Sequence, residues 1–127
     1  GFYLHYSSTE LLYAAGIHTF DKEMLTAYRE YIKDARHRES LVAILDTLEK
    51  KGYKRPEQHY KRLPKGFDKD MSHPELALYA GMYTFLEAKP EGNFFSEKIV
   101  DDSFYIYEDM LPLQKWVYEM TLTKEDV

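Results

Sequence analysis

The stretch that decides the fold is Phe2-Tyr3-Leu4-His5-Tyr6 followed, after Ser7-Ser8-Thr9, by Leu11-Leu12-Tyr13-Ala14-Ala15-Gly16-Ile17. In the first run Phe2, Leu4 and Tyr6 alternate with Tyr3 and His5, the two-residue period of a strand with one buried face. The hydroxyl cluster is turn-forming and the second run is apolar, so the pair predicts an antiparallel hairpin. Gly16 inside the second run marks a bulge or a close approach of another backbone. A chain that opens on strand alternation without an initiator methionine reads as a fragment of a longer one, so the absence of a signal peptide carries no information.

Outward from the hairpin the period changes from two to 3.6. Asp21 can cap a helix in which Met24, Leu25, Tyr28, Ile32 and Ala35 recur on one side, with Phe20 and Leu25 as a staple across the cap. A polar joint, Arg36-His37-Arg38-Glu39-Ser40, leads to a second helix striped by Leu41, Ile44, Leu45 and Leu48. Lys50 and Lys51 suit its negative end and Gly52 its left-handed stop. Pro74 can start a short helix through Tyr79, which Gly81 ends, and Met82 to Ala88 has strand character. Ser96, flanked by Phe95 and Val100, predicts the start of a last helix through Met110. Pro112 then predicts a kink or break before Leu113, Trp116, Val117 and Met120 resume the stripe, and the tail after Thr121 should fray. Two amphipathic helices in series need a surface to lie on, and one face of the sheet supplies it. The expectation is a single α+β domain over residues 1–127, an antiparallel sheet with helices packed mainly on one face.

At 127 residues the chain can bury roughly two-thirds of its unfolded surface without staples. It has no cysteine, which excludes disulfide frameworks and thiolate chemistry and fits a reducing, cytoplasmic setting. No apolar run approaches the ~20 residues of a membrane-spanning helix. The 12 tyrosines and 7 phenylalanines suit an aromatic sheet face.

Charge is unevenly placed. The chain carries 17 cations and 22 anions, net −5. The window 49–69 holds 8 cations and 3 anions, net +5, which leaves −10 for the remainder. A basic island on an acidic body argues against general nucleic-acid coating and permits local anion capture. Within and just after it, Arg55, Tyr60, Lys61, Arg62, Lys65, Asp68 and His73 form the candidate ligand set. The guanidinium forks and ammonium groups suit phosphate oxygens, with an aromatic face beside them. Against this, Glu57 and Asp68 are available to pair with the arginines, and Gly66 and Asp68 have sufficient roles as turn formers.

Read in order, the opening Gly1-Phe2-Tyr3-Leu4-His5-Tyr6-Ser7 strand, the helix pair between Asp21 and Leu48, and Lys61-Arg62-Leu63-Pro64-Lys65-Gly66-Phe67-Asp68 followed by His73-Pro74 resemble the C-terminal two-thirds of the bacterial family known as domain of unknown function 2461. The terminal helix with Pro112 also fits. That family's most distinctive motif, Arg-x-x-Arg-Asp-x-Arg-Phe with a following lysine and tyrosine, has no match here. The resemblance implies an uncharacterised α+β protein and supplies no catalytic residues, and no metal or cofactor is expected.

The five histidines, at 5, 18, 37, 59 and 73, form no metal-binding pair. His5 or His73 beside Asp68 or Tyr60 would make a general-base arrangement, though spacing alone does not require one. Asp68-x-Asp70 begins like a calcium loop but has His73 where glycine belongs and Tyr79 where glutamate belongs. The phosphate-loop, dinucleotide and serine-elbow motifs are missing. The acidic helix face around Asp101, Asp102, Glu108 and Asp109 reads as solvated. Three functions remain open: binding of a phosphate-bearing ligand through the basic loop, half of an enzyme site completed by a missing N-terminal region, or an interaction module. A homodimer through an exposed sheet edge is also expected if upstream strands are missing.

Overall fold

A computed structural model of the chain describes residues 1–6, 11–88 and 97–124, with the side chains of 6, 88, 97–102 and 124 set aside. The hairpin forms as the alternation predicts: β1 (Phe2–Tyr6) pairs antiparallel with β2 (Leu11–Ile17), and Leu4 stands opposite Tyr13. Its turn, Ser7-Ser8-Thr9, lies outside the described residues. β3 (Met82–Ala88) pairs antiparallel on the other side of β2, giving the order β1-β2-β3. Leu11, Tyr13 and Ala15 of β2 and Met82 and Thr84 of β3 are buried on one face. The opposite set, including Leu12, Ala14, Tyr83 and Phe85, is only partly covered.

Gly16 marks close approach and no bulge, because the register runs unbroken through Gly16 opposite Tyr83 and Ile17 opposite Met82. Its φ is +121°, and a Cβ there would lie 2.3 Å from the Met82 carbonyl oxygen. A side chain is excluded twice, by backbone angle and by space.

Of the three helices, the last lies directly against the buried face and the first two pack mainly on the last. α1 (Lys22–Ile32) begins as expected, with Asp21 Oδ1 accepting the Met24 amide at 2.7 Å, and buries Tyr28 and Ile32. Phe20 stacks on Tyr28 at 4.7 Å, and the Tyr28 hydroxyl donates to the Leu76 carbonyl at 2.7 Å. Burial raises the Tyr28 pKa well above its ordinary value, so this hydroxyl stays a donor.

The end of α1 departs from the expectation. Ala35 opens α2 (Ala35–Lys50) and does not continue α1, and the joint is Lys33-Asp34. Asp34 caps α2 by accepting the Arg36 amide at 2.8 Å. Its hydrogen bonds from Arg36 bring its carboxyl down to about 2. The segment read as a polar joint is therefore helix, and Arg38 within it is only 6% exposed. Its guanidinium donates to the carbonyls of Ile32 (3.0 Å) and Lys33 (2.8 Å), and to the carbonyl (2.9 Å) and hydroxyl (3.3 Å) of Ser72. The last carbonyls of a helix lack intrahelical donors and carry partial negative charge, so a cation there satisfies both deficits.

α2 buries Leu41, Leu45 and Leu48 and stops at Lys50, with Gly52 at φ +94°. Pro74–Leu78 is a 3-10 turn, shorter than the helix expected there, and buries Leu76 and Ala77. α3 (Glu97–Lys124) runs through Pro112 as one helix, so of the expected kink or break the break does not occur, and it stays helical past Thr121. Its expected cap, Ser96, lies outside the described residues. Proline removes one donor, that for the Glu108 carbonyl, and Glu108 and Pro112 are both on the exposed side where water substitutes. Fully buried Met110 and Leu113 hold the helix to the core on both sides of the proline. The indole of Trp116 donates to the His37 carbonyl at 3.1 Å, while Tyr107 packs edge-on against Phe2 and Tyr13.

Helix α3 is clamped to the end of α2 by Asp109. Lys51 Nζ contacts its Oδ1 at 2.9 Å and the Tyr53 hydroxyl donates to its Oδ2 at 2.7 Å. The Lys51 bond holds the Asp109 carboxyl below the ordinary 3.8. Burial, then the bond to Asp109, pushes the Tyr53 hydroxyl up.

Two stability measurements follow from these contacts. Gly16→Ala should lower unfolding stability by about 3 kcal/mol or more in urea titration, from the combined backbone strain and overlap, and an unchanged midpoint would contradict that account. Asp109 with a depressed folded pKa contributes stability that is complete above 3.8 and is lost as pH falls through the folded value. Asp109→Asn should therefore lose about 1 kcal/mol at neutral pH, the scale of one solvent-screened charged hydrogen bond. Its stability should also fall less steeply than the parent's in acid, and parallel pH profiles would be the contrary result.

Candidate functional site on the basic loop

After Gly52 the chain turns Tyr53 inward and lays Lys54 along the outer edge of β3. The Lys54 amide donates to the Phe85 carbonyl and the Phe85 amide to the Lys54 carbonyl, both at 2.9 Å, and the Thr84 hydroxyl donates to the same Lys54 carbonyl at 3.0 Å. This single bridge satisfies the outward backbone groups of Phe85 on an edge strand. Further along, the amides of His59 and Tyr60 both donate to the Leu78 carbonyl at 2.9 Å. Leu63 packs against the core and Phe67 is buried. Gly66 has φ +93°, the turn role expected of it, and a Cβ there would meet Lys33 Cε at 2.8 Å.

Of the predicted site residues, Lys61, Arg62 and Lys65 are exposed, and no carboxylate pairs with them among the described residues; the same holds for Lys54 and Lys69 in the same loop. Arg55 differs. Its Nε lies 2.6 Å from Glu49 Oε1, so the partner is neither Glu57 nor Asp68 but a residue at the end of α2. Tyr60 is half-buried, with the Arg29 guanidinium 4.9 Å from its ring centroid and the His59 ring perpendicular to it at 4.8 Å. Arg29 was not foreseen from sequence. Its Nη2 donates to the Ala77 carbonyl at 3.3 Å and its Nε is buried without a partner among the described residues.

Asp68 is occupied with its own turn, where Oδ1 accepts the Asp70 amide at 2.9 Å. His73 adopts φ +50° and its Nδ1 lies 3.3 Å from Glu75 Oε1. His5 is on the open face of the sheet, stacked with Tyr3, and no contact joins it to Tyr60 or Asp68. The general-base arrangement considered from sequence does not assemble among the described residues. His37 stacks on Tyr31 with its Nδ1 2.9 Å from the Tyr31 carbonyl, and His18 bonds Thr19 at 3.1 Å, so both have structural uses. On the acidic face, Asp109 is committed to Lys51 and Tyr53, while the side chains of Asp101 and Asp102 lie outside the description. Among the described residues no three potential ligands gather as a metal site, and no helix is long and apolar enough to cross a membrane.

A second feature gives the aromatic sheet face a shape that the composition alone does not predict. On the sheet face away from the helices, Ala14 and Gly16 of the central strand lie between Tyr3 of β1 and Tyr83 and Phe85 of β3, and small residues flanked by large ones leave an open concavity of about 560 Å³. The signal was present in the sequence as the outward-facing set of β2 and β3. Its walls are apolar, with Glu87 and His18 also lining it.

The chemistry available is thus of two kinds: free cations on an anchored loop, and an aromatic trough on the sheet. No curated protein and no solved structure matches the chain. A family model described as "Conserved hypothetical protein (DUF2461)" matches residues 1–116, which supports the family and not the narrower reading of the chain as its C-terminal two-thirds. With nearly its whole length matched, from the β1 strand through the loop to Trp116 of α3, the chain belongs to the DUF2461 family of conserved hypothetical proteins.

Proposed function

We propose that the chain is a binding module that takes a phosphate-bearing ligand through the loop cations Lys61, Arg62 and Lys65. The observation that supports this is the set of neighbouring cations left without carboxylate partners on a chain that is otherwise net acidic. Ammonium and guanidinium groups in that condition form charge-assisted bonds to an anion without first breaking an internal pair. Arg55 contributes less, because an incoming anion must displace Glu49. Their exposure also supports a second reading, an interaction module whose cations face an acidic partner protein, since neither Lys61 nor Arg62 is enclosed.

Titration with tripolyphosphate separates the two. The triple variant Lys61→Ala, Arg62→Ala, Lys65→Ala should bind it at least about tenfold more weakly, a difference of about 1.4 kcal/mol, whereas Arg55→Ala should change affinity by less than about threefold. Equal affinity of parent and triple variant would remove the phosphate reading and leave the interaction module.

A further inference from the structure

Helix α3 carries more apolar surface than its packing uses. Met110, Leu113, Trp116, Val117 and Met120 are buried against the rest of the chain. On the outer side Phe104, Leu111, Tyr118 and Leu122 remain 64, 52, 59 and 43% exposed. Their spacing of seven, seven and four residues places all four within an arc of about 40° on a helix that advances 100° per residue, a straight seam about 27 Å long. Scattered exposed apolar residues need no explanation, whereas an aligned seam of this kind marks an interface.

The charges beside the seam specify its occupant. Glu108 and Lys115 are exposed and have no ion-pair partner among the described residues. Leu111 lies midway between Phe104 and Tyr118, with Glu108 three residues before it and Lys115 four after. A second α3 laid antiparallel about a twofold axis at Leu111 sets Leu111 on Leu111 and Phe104 on Tyr118, and brings Glu108 within one residue's rise of Lys115 in both halves. A parallel pairing would set like charge on like. Isologous contacts require this kind of self-complementarity, in which residue i meets j and j meets i.

We propose that the outer face of α3 is a self-docking surface, by which two copies of this chain pair antiparallel across Leu111. This surface is separate from the β1 edge considered from sequence, whose outer side has no strand partner among the described residues. A single-helix seam is small for an interface, so the dimer is weak, with Kd on the order of 10–100 µM.

Sedimentation equilibrium tests it. The parent chain should show a monomer–dimer equilibrium in that range, and Glu108→Lys or Lys115→Glu alone should weaken it at least about tenfold by opposing like charges. The double variant, carrying both changes, should return to parental affinity. Because the chain has no cysteine, Leu111→Cys should give a disulfide-linked dimer under mild oxidation, through the only thiol present. A parent chain that stays monomeric to about 200 µM, single variants that dimerise as the parent does, or a double variant that fails to recover would each overturn the proposal. The second of those results is also what dimerisation through the β1 edge would give.

Discussion

The buried guanidinium of Arg38 is the contact on which the placement of the loop depends. It takes the last carbonyls of α1, stands in the first turns of α2, and reaches Ser72 at the far end of the basic loop. All of the partners seen for it are neutral oxygens, so its charge is balanced by the negative end of α1 and by oriented peptide dipoles. Removing this group leaves the buried Ile32 carbonyl unsatisfied, at a cost on the order of 1–3 kcal/mol, and takes the donor from the part-buried oxygens of Lys33 and Ser72.

From that corner the other anchors of the loop follow. Tyr53 is held by Asp109, Lys54 by Phe85, His59 and Tyr60 by Leu78, and Phe67 by the core. Between these fixed points the cations Lys61, Arg62 and Lys65 are exposed, with no carboxylate partner among the described residues. The segment is irregular in secondary structure yet tied down at both ends and in the middle, a combination that presents charge in a defined place without a helix or strand to carry it. The separation of a basic loop from an acidic body is thus a product of packing as much as of composition.

Much of the fold was legible because it is written in local periods. The alternation of Phe2–Tyr6, the apolar run of β2 and the bounds of β3 needed no distant partner to be read, and Asp21 declared its helix by side-chain chemistry alone. Several of the failures involve contacts distant in sequence. Ala35 continues the spacing of α1, but the chain breaks at Lys33-Asp34 because Asp34 caps a new helix and Arg38 closes the old one through Ser72, 34 residues away. Pro112 is a local breaker overruled by buried Met110 and Leu113 on either side. At the candidate site, residue types were readable while partners were not. Glu49 for Arg55 lies across the end of a helix, and Arg29 over Tyr60 comes from a different element. The aromatic trough depends on which strands neighbour β2, which no single strand reveals.

Amide hydrogen exchange on Arg38→Met tests the claim that this guanidinium sets the loop. The amides of Phe67, Met71 and Leu76, which bond to Pro64, Asp68 and His73, should exchange at least about tenfold faster than in the parent, beyond any change shared with the β2–β3 ladder, as local opening requires. If those three amides keep parental protection, or change only in step with the ladder, the loop is held by its other anchors and the central role given to Arg38 is wrong.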